Sequence, residues 1–203
     1  MGRLVIDLDP AVWLLGPSAD LPLERWLPVA CEHLADRFDF SPDDAEAVRH
    51  VEEVLTATGR LENDLSHEVV HWADPTSEAV PVLLGLQARS VDTDGWLRGV
   101  DLEAADHVHL DESPVLHEGG SMRRSVMTSE DEGGQRLTSA RYVVDTGDVE
   151  AVVVARVTSD DHDDLMRVEP DVVAMLRTVR VTGGRSRRTL RGAAAALLGR
   201  RRG

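Results

Sequence analysis

Apolar residues recur along this chain with two different periods, and the change of period divides it. Between about 22 and 38, Trp26, Leu27, Ala30, Cys31, Leu34 and Phe38 return at intervals of three and four. That spacing predicts a helix with this stripe against a core. A second helix is predicted over 42–59, with Ser41 as N-cap, Pro42 at the first helical position, and Asp43 and Asp44 in the first turn, where the helix dipole favours anions. Val48, Val51 and Leu55 face inward, and Gly59 stops it.

From about Glu68 the period becomes two. Over 79–91 the even positions are Val80, Val82, Leu84, Leu86 and Ala88, while the odd ones include Pro81, Gly85, Gln87 and Arg89, which predicts a strand with one buried face. Asp94-Gly95 reads as a hairpin turn into a strand over 96–102. Further turn signals at Glu132-Gly133-Gly134 and Thr146-Gly147-Asp148 separate strands over 120–129, 135–145 and 149–158. The last carries valine at both parities and is expected at the centre of the sheet. A short strand over 4–8, ended by Asp9-Pro10, opens the chain. Ser159 and an acidic first turn start a closing helix with Leu165, Val168, Val172 and Leu176 inward. Pro170 inside it predicts a break, and 178–181 predicts a final edge strand.

Strands run together instead of alternating with helices. The predicted class is therefore α+β: an antiparallel β-sheet meander with two N-terminal helices and one C-terminal helix packed on it. Residues 1–182 are expected to form a single domain, and 183–203 a flexible arginine-rich tail hinged at Gly183-Gly184.

Composition narrows the chemistry. All 22 basic side chains are arginine, so a lysine Schiff base, a phosphate-loop lysine and a lysine general base are excluded. A single cysteine, Cys31, excludes an internal disulfide and a cysteine-rich metal site, and is expected to be a buried small hydrophobe. Asp7 and Asp9 interrupt the first apolar stretch, where a signal peptide would need continuity, which predicts a cytoplasmic protein.

The net charge of −15 is unevenly spread. Arg185, Arg187, Arg188, Arg191, Arg200, Arg201 and Arg202 lie in a stretch without an acid, which leaves 15 arginines against 37 acids, or −22, in residues 1–184. The body is expected to repel nucleic acid and anionic membranes, and the tail to attract anionic surfaces. A halophilic source would give the same acidic, lysine-free surface.

Among candidate sites the sharpest is His107-Val108-His109-Leu110-Asp111-Glu112. On a strand His107, His109 and Asp111 share one face and converge on a divalent metal. The run resembles the first part of the HxHxDH motif of metallo-β-lactamase-type hydrolases, with Glu112 in place of the final histidine. Strand alternation with Val108 and Leu110 inward accounts for the same pattern without a metal. His67 and His71 fall where Val69, Val70 and Trp72 predict a strand, and His33 and His50 read as helix-surface histidines. Asp92-Thr93-Asp94-Gly95 has the acids of half a calcium loop with glycine misplaced, and is expected to be a turn. No nucleophile elbow and no dinucleotide loop is present.

The strand ending in Asp9-Pro10 with Trp13 behind it, the long run of strands, and the closing helix before Leu176-Arg-Thr-Val-Arg-Val181 resemble the layout of the PsbP-like superfamily, which includes LpqN-type bacterial lipoproteins. The resemblance implies a binding or assembly module, and the helix over 42–59 departs from it. The expected function is accordingly a non-enzymatic cytosolic adaptor or chaperone-like module without a cofactor. It would engage a basic protein partner by a sheet face or edge. The alternatives are a metal-dependent hydrolase using His107, His109 and Asp111, and a peripheral membrane protein held by the tail arginines.

Overall fold

A computed structural model describes residues 3–18, 20–41, 43–58, 67–98, 108–109, 115–117, 120–130, 136–147 and 150–183. In chain order the elements are β1 (Arg3–Val5), β2 (Trp13–Leu15), α1 (Leu23–Phe38), α2 (Ala45–Thr58), β3 (His67–His71), β4 (Val80–Ala88), α3 (Val91–Arg98), β5 (Val108–His109), β6 (Val115–His117), β7 (Gly120–Glu130), β8 (Arg136–Asp145), β9 (Ala151–Ser159), α4 (His162–Thr178) and β10 (Arg180–Thr182). The class is α+β, as the run of strands predicts.

Eight strands form one antiparallel sheet in the order β2-β3-β4-β9-β8-β7-β5, with β6 also on β7. The meander is interrupted: β7, β8 and β9 follow one another, but β9 then lies against β4, from which it is separated in sequence by α3 and four strands. Valine at both parities is the reason β9 can occupy that place. Val153, Ala155 and Val157 join the core beneath α4, while Val152 and Val154 pack with Val143 on the opposite face. The opening strand pairs with the closing one, which was expected at a sheet edge, as a separate two-stranded ladder, Leu4 opposite Val181.

Helices lie on both faces. Leu165, Val168, Val172, Met175 and Leu176 of α4 close the larger core over β4, β8 and β9. Trp26, Ala30, Cys31 and Leu34 of α1 and Val51 and Leu55 of α2 enclose Leu14, Val70 and Trp72 of the other face. Cys31 is buried as expected, and burial raises its thiol pKa.

Four local expectations need correction. The predicted hairpin at Asp94-Gly95 is the middle of α3. Ser90 and Thr93 cap that helix reciprocally, the Thr93 N–H donating to Ser90 Oγ at 3.1 Å and the Ser90 N–H to Thr93 Oγ1 at 2.8 Å, and the acids at 92 and 94 stabilise its first turn. This closed cap outweighs the cost of a helical glycine, about 1 kcal/mol. Replacing Ser90 with Ala should lower stability by about 1 kcal/mol, read from the midpoint of urea unfolding; an unchanged midpoint would show that the cap contributes nothing.

The second correction concerns α2, whose cap is Asp44. Its Oδ1 accepts from the Glu46 and Ala47 N–H groups, while Ser41 heads a turn one step earlier and Pro42 lies outside the described residues. The third is similar: α4 is capped by Asp161 and not by Ser159, whose Oγ instead accepts from the Asp161 N–H. The fourth is Pro170, which does not break α4. The helix runs unbroken from 162 to 178, because the buried side chains on both sides of the proline lie on one stripe and would lose a common core if it kinked apart.

Candidate functional site

The sequence candidates do not come together. His107 and Asp111 lie outside the described residues, and of His109 the structure places only the backbone, at the end of β5. The arginines at 185, 187, 188, 191, 200, 201 and 202 also lie outside them. His33 and His50 are exposed on α1 and α2. Among the described residues no three His, Cys, Asp or Glu side chains are grouped to hold a metal, and no helix is long and apolar enough to cross a membrane.

His67 and His71 share a face of β3 but have different surroundings. His71 is 2% exposed, with Nε2 2.8 Å from Asp171 Oδ2 on α4 and the Trp13 ring edge-on at 5.0 Å. Burial lowers its pKa, against the opposing pull of Asp171, so the ring is neutral with its proton on Nε2, the nitrogen that faces a carboxylate. Its role is to tie α4 to β3.

His67, at the exposed start of the same strand, lines a groove of about 530 Å³ between β1 and the ends of β2 and β3. Leu4, Ile6, Leu8, Leu15 and Val69 supply apolar wall, and Arg3, Ser18 and Asp20 add polar positions. Among the described residues, Val5 and Leu15 are two of the large hydrophobic side chains left exposed, and both belong to this groove.

Glu68 is the unusual member. It lies on the parity of Val70 and Trp72, in a register that is otherwise buried and apolar. The residue is 6% exposed, its Oε1 is buried with no hydrogen-bond partner, and burial pushes its pKa up to about 7. Gly16 extends the β2 ladder by donating its N–H to the Glu68 carbonyl at 2.8 Å. A Cβ on Gly16 would come within 2.9 Å of both the Glu68 Cβ and its carbonyl oxygen, so glycine is required for this close approach. Sequence reasoning passed over Glu68, although one acid on the strand parity of Val70 and Trp72 was the available signal.

The remaining buried charges hold the sheet together. Arg89, at the end of β4, reaches Asp94 of α3 at 2.5 Å and Asp145 of β8 at 2.7 Å. Arg124 of β7 reaches Glu169 of α4 at 2.7 Å. On the sheet face away from α4, Arg141 of β8 stands directly opposite Arg156 of β9, with Arg123 on the same parity of β7.

No family model matches this chain, and no curated protein does. Among solved structures it is similar to the crystal structure of LpqN, involved in cell envelope biogenesis of Mycobacterium tuberculosis, with 15% identity over 89% of this chain and 85% of that one and a TM-score of 0.45.

Proposed function

We propose that the chain is a non-enzymatic binding module for a basic protein partner, and that the groove between β1 and β2–β3 is where the partner is held. The observation that carries this reading is the groove itself, a largely apolar concavity of about 530 Å³ at which the large side chains of Val5 and Leu15 stand exposed. The groove has the size of a ligand site, and the surplus of acid in the body steers cations toward it.

Two other surfaces suit such a partner less well. The sheet face away from α4 presents Arg123, Arg141 and Arg156, which repel a cation. The edge of β2 is occupied: the Trp26 indole N–H donates to the Leu15 carbonyl at 2.6 Å, and the Trp13 N–H donates to the Asp9 carbonyl at 2.9 Å. Strand addition there would have to displace both.

Photocrosslinking tests the location. A benzophenone amino acid placed at Leu15, in the groove, should capture one basic protein in cells, whereas the same group at Met166 on the outer face of α4 should not. Equal capture at both sites, or capture at Met166 alone, would sink the groove as the contact surface.

A further inference from the structure

We propose that the groove is occupied by the chain's own segment 190–198, with its leucines against the apolar wall. Resting on the reading of the groove as a partner site, this makes the segment an internal competitor that the partner must displace. Leu190, Ala193, Ala194, Leu197 and Leu198 fall at i, i+3, i+4, i+7 and i+8, so helical spacing gathers all three leucines on one stripe between arginines. That stripe needs an apolar surface to cover it, and the groove, with Val5 and Leu15 exposed, needs the same.

The groove is within reach of the chain that leads to this segment. Thr182 of β10 pairs with Arg3 of β1, and Arg3 is itself a groove residue, so the chain leaves the fold at the groove's rim. Gly183, with a φ of 78° and open space where a Cβ would stand, turns the chain there. Neighbouring strands lie about 4.8 Å apart, so even the far edge of β1 is about 10 Å from β10, whereas residues 184–189 span up to about 20 Å.

Charge agrees with this occupant. Residues 185–203 carry seven arginines and no acid, and residues 1–184 a net −22. Asp20 in the groove and Asp7 beside it are exposed and attract the arginines, while Arg3 opposes them. Tethering adds to the attraction, because a short linker holds the segment at a local concentration of about 1 mM. With an intrinsic Kd of about 0.1 mM the segment fills the groove about nine-tenths of the time, and a foreign chain then binds about tenfold more weakly than to the open groove.

The test is amide NMR on the full chain carrying a nitroxide at position 199 through Gly199→Cys, with Cys31→Ala to remove the buried thiol. The amide signals of Val5, Leu15 and Gly16 should be lost and that of Met166, on the outer face of α4, kept. Adding Leu197→Asp/Leu198→Asp should restore the groove signals. Equal loss at the groove and at Met166, no loss at the groove, or a loss that survives the two aspartates would overturn the seating of the leucines there. If an isotope-labelled chain without a nitroxide loses its groove signals only when mixed with the nitroxide-bearing chain, the occupant is a second copy's segment and the internal contact falls. The partner reading is tested separately by photocapture from a benzophenone amino acid at Leu15. At sub-saturating partner, Leu197→Asp/Leu198→Asp in the full chain should raise capture of the basic protein about tenfold. Strong capture that this pair leaves unchanged would overturn the competition. Loss of the groove signals to the nitroxide without capture of any basic protein would sink the partner reading and leave the internal contact standing.

Discussion

Replacing Glu68 with Gln should stabilise the protein by about 3 kcal/mol at pH 8 and leave it nearly unchanged at about pH 4. The folded-state pKa is raised from 4.5 to about 7 by burial. Below about 4.5 the acid is protonated in both the folded and unfolded chains, so glutamine, an analogue of the neutral acid, changes little. As pH rises through the interval to 7, the unfolded chain ionises first and the native chain must follow against the cost of burial. Wild-type stability falls over this interval and is flat above it; the variant lacks the fall. Each pH unit of displacement corresponds to about 1.4 kcal/mol, which sets the expected size.

His71 acts with the opposite sign. Its folded pKa lies below 6.5, so its contribution is intact above 6.5 and is lost as pH falls toward the folded value. The two slopes oppose one another in wild type, and Glu68→Gln exposes the histidine slope alone. Urea midpoints across pH for both proteins check this. A gain that is the same at pH 4 and pH 8 would mean that glutamine packs better, with no titration involved; no gain at pH 8 would mean that the carboxylate finds solvent or a partner.

The second large effect is expected at Asp145. Arg89 and Asp145 are both close to nine-tenths buried and join the ends of β4 and β8, while the other arm of the guanidinium holds Asp94 within α3. Asp145→Ala leaves a buried guanidinium with one of these two carboxylates and should cost about 3–5 kcal/mol. It also removes the acceptor that takes the Gly147 N–H at 2.9 Å in the turn toward β9. Asp145→Asn keeps that turn acceptor and loses only the charge, so its cost should be smaller. The double variant Arg89→Met/Asp145→Leu should recover much of the loss, because it removes both charges and leaves neither uncompensated. If Asp145→Ala costs under about 1 kcal/mol, the pair behaves as an exposed ion pair and does not secure the sheet.

These two sites mark where sequence reading stopped. Arg89 and Asp145 are far apart in the chain, and nothing in the alternation of β4 or β8 indicates that their ends meet. Glu68 stood in view as one acid among 37, and only its burial sets it apart. The hairpin expected at Asp94-Gly95 fails for a related reason: turn chemistry was weighed without the Ser90–Thr93 cap and the Arg89 ion pair, which together favour a helix.

The sequence by itself determined what depends on local periodicity. The three- and four-residue spacing of Trp26, Ala30, Cys31 and Leu34 makes α1, the two-residue spacing of Val80, Val82 and Leu84 makes β4, and valine at both parities of 151–159 makes a strand covered on both sides. These fix the α+β class, because a period states which side of an element must be buried. Only the tertiary structure decided what each buried side meets. It set β9 beside β4, divided the helices between two faces, paired β1 with β10 away from the main sheet, and left a carboxyl without a partner beside Gly16. Burial is non-directional, so an apolar face accepts any complementary face of the right shape; the choice among them is made by the packing of the whole chain.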